Sequence, residues 1–193
     1  MRSEAGSRLL SSPAVEGRFW ERVRPVDLVD FIRGQAESAI GMIEHSMQDL
    51  TPEVVHYEPG GTSNTIAQLL AHMVTGQDLL IQDKIRGGGV TLHNSGWAEK
   101  TGVPEDRTLI WQRDAWRMDL PGFDEYVRAV LANSRSYIES LDASVLEQEH
   151  TWIRGPEQPV HRLMQTIFIN HALGHCGEIS TLKGIQGLRG LPI

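Results

Sequence analysis

The chain has 193 residues, 40% of them hydrophobic, which is enough for one domain with a core of its own. Lys and Arg total 18 against 25 Asp and Glu, and this net charge of -7 argues against a general nucleic-acid binder, which would carry a basic face. The single cysteine, Cys176, excludes an intramolecular disulfide and fits a reducing compartment. Without a membrane-length apolar run or a signal-peptide core, we expect a cytoplasmic globular protein.

Helical periodicity dominates the first half of the chain. Residues 1–24 are aperiodic and are interpreted as an N-terminal arm, so that the predicted domain spans residues 25–193. A first helix is predicted from Pro25 to about Leu50, and Thr51 is a candidate cap for a fresh helical start. A second helix is predicted to run to about Ile85, with cap candidates at Thr62, Ser63 and Asn64.

Residues 90–122 form a long connection without sustained periodicity, and such connections are typically functional loops or lids. A third helix is predicted over about 123–141, and a fourth runs from near Pro159 to about Gly187, with a short extended piece at 151–153 between them. Four amphipathic helices with almost no strand signal predict an all-α four-helix bundle with a long helix 2–helix 3 connection. The expected core includes one residue from each helix: Ile43, Leu70, Val130 and Phe168.

Two histidines lie four residues apart in the fourth helix. His171 and His175 therefore point the same way, and they belong to one line of core positions, which comprises Met164, Phe168, His171, His175, Ile179 and Leu182. Burying two imidazoles without partners costs a few kcal/mol, about 2–7 for a polar group. Either hydrogen bonds to carbonyl or hydroxyl groups or coordination of one metal ion would remove that cost.

A third ligand would favour the metal. His72 is the best placed of the other histidines, because it lies mid-helix in the predicted second helix, whereas His45 points away from its own apolar stripe and is expected to be solvated. Three histidines from two helices leave coordination positions open, which is the pattern of catalytic rather than structural sites. Zinc and nickel both suit an all-imidazole ligand set.

Two segments resemble the motifs of a known family. Asn64–Met73 (NTIAQLLAHM) resembles the first histidine motif of the DinB/YfiT-like superfamily, and His171–Ile179 (HALGHCGEI) resembles its H-x-x-x-H-x-G-[EQ]-I signature. The similarity spans roughly residues 26–187. It implies a four-helix bundle in which His72, His171 and His175 bind a divalent metal.

The resemblance also sets expectations about activity. Characterised relatives include transferases and isomerases that use low-molecular-weight thiols such as bacillithiol, mycothiol or glutathione. We expect a metal-dependent enzyme, with thiol S-transfer to a small electrophile as one reaction and metal-dependent hydrolysis as an alternative. A non-catalytic, stress-associated metal-binding bundle is a further alternative, as is a helical interaction module without metal. The expected partner is a small-molecule substrate rather than nucleic acid or a membrane, and the expected assembly is a homodimer.

Several residues near the motifs have open roles. Glu178 shares the face of His171 and His175, so it is a candidate general base, an acceptor for a ligand histidine, or a surface carboxylate. Cys176 stands where many family members carry arginine, and we expect it to be a buried, inert thiol. The tryptophans of the connections either roof the pocket or cover the ends of the bundle. Arg113 and Arg117 are candidates to hold a substrate carboxylate, and the alternative, which the sequence favours, is that both are simply solvated.

Overall fold

The computed structural model describes residues 26–191, so the arm predicted for residues 1–24 lies outside the described residues. The regular secondary structure of the described residues is helical apart from one antiparallel pair of short strands, in which Glu149–His150 lies beside Gln158–Pro159. The prediction of an all-α fold is therefore confirmed. Within residues 26–191, no helix is both long and apolar enough to cross a membrane.

Four long helical segments form the bundle. In chain order the α-helices are α1 (Leu28–Ser46), α2 (Pro52–Val55), α3 (Ile66–Asp78), α4 (Trp97–Thr101), α5 (Leu120–Glu139), α6 (Ala143–Leu146), α7 (Val160–Leu163) and α8 (His171–Ile185). A π-helical segment extends α3 over Leu79–Ile85, and another joins α7 to α8 over Met164–Asn170. Helices α1 and α3 each pack against both α5 and α8, so they occupy opposite corners of the bundle.

Side-chain caps determine where these helices begin. Asp27 accepts hydrogen bonds from the amides of Val29 and Asp30 at the start of α1, and Asp119 caps α5 in the same way. The predicted cap of α3 was misplaced by at least one residue, because Thr65 rather than Thr62, Ser63 or Asn64 occupies that position. Thr65 forms a reciprocal capping box with Gln68.

The predicted core is confirmed. Ile43, Leu70, Val130 and Phe168 are all buried, and they come from α1, α3, α5 and the π-helical segment before α8. They belong to one continuous apolar cluster that occupies the centre of the bundle. Burial of this cluster is the main source of stability for helices of this length.

The long connection between α3 and α5 is folded back onto the bundle. It contains 3-10 turns at Thr91–His93, Arg107–Trp111 and Arg113–Ala115. Buried Asp78, at the end of α3, anchors it by accepting hydrogen bonds from the Leu92 amide at 3.1 Å and from the Tyr126 hydroxyl of α5 at 2.8 Å. The connection therefore has a fixed position beside α3.

Candidate metal centre

Helices α3 and α8 bring the three predicted histidines together. His72 lies in the middle of α3, while His171 is the first residue of α8 and His175 follows one turn later. The π-helical segment Met164–Asn170 leads directly into His171, and the Gln77 side-chain amide of α3 donates to the Phe168 carbonyl oxygen at 3.3 Å. This bond ties α3 to the segment that positions His171.

The three Nε2 atoms face one another. The Nε2 atom of His171 lies 2.9 Å from that of His72 and 3.1 Å from that of His175. Ligand atoms of all three residues lie within 4.8 Å of one another, and the side chains are partly buried. Ligand bonds of about 2.1 Å that meet at 90–110° place their nitrogens about 3.0–3.4 Å apart. The two observed separations fit a common ion.

Hydrogen bonds between the three rings cannot pair all of their nitrogen atoms. A ring nitrogen carries either one hydrogen or one lone pair, so the Nε2 atom of His171 can form only one well-directed hydrogen bond. It has two Nε2 atoms at hydrogen-bonding distance, so one of them would be left without a partner. Its other nitrogen, Nδ1, is buried and has no hydrogen-bond partner within residues 26–191. A divalent cation would use the three inward lone pairs at once. The donor set therefore fits a metal better than it fits a histidine cluster.

Glu178 contacts the cluster from outside. Its Oε2 atom lies 2.7 Å from the Nδ1 atom of His175, which can donate while the Nε2 lone pair faces the other histidines. The carboxylate itself is not part of the three-residue group, and its side chain is 57% exposed. The structure thus shows the contact required to orient a ligand histidine, whereas a general-base role for Glu178 stays a prediction.

The surroundings keep two of the histidines uncharged. Burial lowers the pKa of His72 to about 3, and the closeness of His171, of the Arg107 charge and of His175 makes a proton on His72 still less favourable. Burial and the neighbouring His175 lower the pKa of His171 to about 4. Metal binding requires neutral imidazole, so both residues are in the ligand state at neutral pH without losing a proton.

Arg107, rather than the predicted Arg113 or Arg117, is the arginine that contacts the backbone of the cluster. Its guanidinium donates to the Thr75 hydroxyl at 3.0 Å and to the His72 carbonyl oxygen at 3.2 Å. Gly76 makes room for it, since a Cβ there would lie 3.3 Å from the Arg107 Nη2 atom and 3.6 Å from the His171 ring. The aperiodic connection gave no sign of this contact, because it depends on how that segment folds back.

The tryptophan-rich connection covers one side of the cluster. The Trp111 ring lies 4.7 Å from the His72 ring, centroid to centroid, and 43% of Trp111 is exposed. Trp116 is buried, and its ring N–H donates to the Ile110 carbonyl oxygen. Trp111 therefore covers His72, in line with the first of the two roles considered, whereas Trp116 packs in the core, which neither role described.

Three further expectations concerned side chains near the motifs. Cys176 is buried as expected and contacts the Met73 sulfur at 4.0 Å, and burial raises its pKa. His45 was expected to be solvated, but its Nε2 atom instead donates to the Gly190 carbonyl oxygen at 2.6 Å. Arg113 bonds to Glu58 and to the Ser63 carbonyl oxygen, so the structure gives its charge a partner within the chain.

A cavity of about 440 Å³ lies on the far side of Glu178 from His175, and none of the three histidines is among its lining residues. It lies between the loop before α3 and the second half of α8, and Glu178 contributes to its wall. Leu69, one turn before His72, also lines it. Glu178 therefore contacts both the candidate metal centre and the cavity.

Comparison with solved structures supports the fold. A conserved protein from Enterococcus faecalis superposes with a TM-score of 0.67 at 16% identity, covering 84% of this chain and 99% of that one. A protein from Streptococcus pneumoniae gives a TM-score of 0.55 at 11% identity, covering 89% and 97%. At these identities the likeness concerns the fold alone. No curated protein sequence gives a significant match.

The sequence itself also matches a family. Residues 35–179, well over half of the chain, match the DinB superfamily, and this range includes His72, His171 and His175. The chain belongs to the DinB superfamily.

Proposed function

We propose that this protein is a divalent-metal-dependent enzyme that transfers a low-molecular-weight thiol to a small electrophile. The convergence of the three Nε2 atoms carries the proposal, because a three-histidine set from two helices leaves coordination positions for an exogenous ligand. Zinc and nickel are the ions that this ligand set suits best. Such an ion lowers the pKa of a thiol or water that reaches it and so supplies a nucleophile at neutral pH.

The chain's own residues would prepare the site for this chemistry. Glu178 holds the ring of His175 in the tautomer whose Nε2 lone pair points inward. Arg107 contributes a positive charge beside His72 that disfavours protonation of the ligands and favours an anionic nucleophile. Trp111 covers His72 and offers an aromatic surface to an apolar electrophile.

The reaction is a substitution that balances without a redox step. The thiol sulfur attacks an electrophilic carbon, a C–S bond forms, and the leaving group departs with the electron pair of its bond to that carbon. The thiol proton passes to solvent or to the exposed carboxylate of Glu178. Hydrolysis would use the same site with water in place of the thiol.

The test is a thioether-formation assay on the metal-free, zinc-loaded and nickel-loaded full chain with 1-chloro-2,4-dinitrobenzene and several thiols. We expect turnover that requires both metal and thiol and that is abolished in His171→Ala. His93→Ala removes an exposed histidine outside the cluster and should leave the rate unchanged. Esterase or amidase turnover without thiol would support the hydrolase instead. Metal binding without turnover on any substrate class would support a non-catalytic bundle.

A further inference from the structure

The cavity beside Glu178 has the size and composition of a small-molecule site. Its volume of about 440 Å³ is within the usual range of about 300–1,000 Å³ for ligand pockets. Ile185 provides most of the apolar wall, because it is 58% exposed whereas Leu69 and Leu182, which also line the cavity, are only 2% and 7% exposed. The loop residues Thr62–Asn64 and Thr181 of α8 supply hydroxyl and amide groups.

Glu178 is the one charged residue among those described that line this cavity. Its Oε2 atom is bonded to His175, but more than half of the side chain is exposed, so the carboxylate remains accessible from the cavity. The nearby cation Arg113 is directed to Glu58 and the Ser63 carbonyl oxygen and is not in the lining. The wall therefore offers a negative charge and hydrogen-bonding groups to a ligand.

The beginning of α3 does not offset this negative charge with free amide donors. Helix N-termini attract anions mainly through their unpaired N–H groups. Here the Gln68 amide donates to the Thr65 hydroxyl at 3.3 Å, and the Thr65 amide donates to the Gln68 side-chain oxygen at 3.0 Å. The capping box uses the Gln68 amide, and the other amides of this first turn belong to Ile66 and Ala67, which do not line the cavity. The end of the helix therefore adds no amide donor to the wall for a carboxylate or phosphate.

We propose that this cavity binds the primary ammonium group of a small aliphatic molecule. The ammonium would donate to the Glu178 carboxylate and to the hydroxyl oxygens of Thr62 and Ser63 or the side-chain carbonyl oxygen of Asn64. The alkyl part would lie against Ile185, the exposed residue of the apolar wall. Since Glu178 also contacts His175, the same carboxylate would link the bound ammonium to one histidine of the cluster. If the proposed thiol transfer holds, the same preference makes aminothiols better co-substrates than thiols that carry a carboxylate.

The experiment is a titration of the metal-free full chain with n-butylammonium, n-butanol and n-butyrate at pH 7, so that n-butyrate cannot bind through an open coordination position of a metal. Binding is followed by ¹H–¹⁵N spectra through the amides of Thr62–Asn64 and Thr181. We expect saturable shifts with n-butylammonium, binding of n-butanol at least about tenfold weaker, and none with n-butyrate. Butyrate binding as tight as that of butylammonium, or no saturable binding of any probe, would overturn the proposal.

Two substitutions and one control identify the charge responsible. Glu178→Gln should weaken n-butylammonium binding at least about tenfold, whereas Glu58→Gln, which makes the same charge change beside Arg113, should have little effect. Thr181→Lys changes an exposed helical position and should reverse the preference toward n-butyrate. Equal losses in the two glutamine variants, or an unchanged preference in Thr181→Lys, would contradict the proposal.

A separate rate comparison of cysteamine with 3-mercaptopropionate addresses the co-substrate. Higher turnover with cysteamine supports the stated preference, and a higher rate with 3-mercaptopropionate contradicts it. If neither thiol reacts while n-butylammonium still binds through Glu178, the proposed thiol transfer fails and the ammonium site stands. The two failures are therefore distinguishable.

Discussion

Replacing Glu178 with Gln tests how strongly the carboxylate supports the metal centre. The variant keeps the shape of the side chain but removes the charge that accepts the 2.7 Å bond from His175. Loss of such an outer partner usually lowers metal affinity about 10–100-fold, or about 1.4–2.8 kcal/mol. Because the Glu178 side chain is 57% exposed, solvent screening places the expected loss near the lower end, about tenfold.

Competition with a chromophoric zinc chelator at pH 7 measures this change. Glu58→Gln is the matched control, since it removes an exposed carboxylate that pairs with Arg113 and should alter zinc affinity less than about twofold. Helical content followed by circular dichroism should be the same in all three proteins. Zinc affinity that is equal in wild type and Glu178→Gln would refute the orienting role of this carboxylate.

Three further predictions concern the metal-free chain. Burial lowers the pKa values of His72 and His171 to about 3 and 4, below the usual 6.5. Between these values the unfolded state binds more protons than the folded state, so the free energy of unfolding should fall as the pH drops from about 6.5 towards 4. Urea unfolding at several pH values measures this change. Stability unchanged over that window would contradict this. Phe168→Ala should cost about 3–5 kcal/mol in the same assay, against less than about 0.5 for exposed Leu173→Ala. Buried Cys176 should react with a thiol reagent only at the rate of unfolding, and rapid labelling of the native chain would show that its burial is incomplete.

The bundle and the histidine cluster could be predicted because both depend on helical periodicity. His171 and His175 stand in a line of apolar residues, and the position of His72 in the middle of a helix made it the best third candidate. In the structure all three histidines lie on helices, as their spacing indicated, and their side chains form one cluster. The cap at Thr65 was missed, although Thr65 and Gln68 have the spacing of a capping box.

Features that depend on tertiary contacts could not be predicted. Arg107 reaches His72 only because the connection after α3 folds back, and that segment has no periodicity to indicate its path. The π-helical segment before His171 changes the turn of a helix without a distinctive residue pattern, so the sequence suggested one regular helix from Pro159 onward. The cavity beside Glu178 likewise depends on the placement of the 59–64 loop against α8.

Crystallographic anomalous scattering at the zinc edge tests the central claim most directly. In crystals of the zinc-loaded full chain, we predict a single strong peak about 2.0–2.2 Å from the Nε2 atoms of His72, His171 and His175. The peak should be absent in His171→Ala crystals grown with the same zinc. Zinc bound elsewhere, or histidine rings that remain in mutual contact with no anomalous peak between them at saturating zinc, would contradict the assignment of a metal centre.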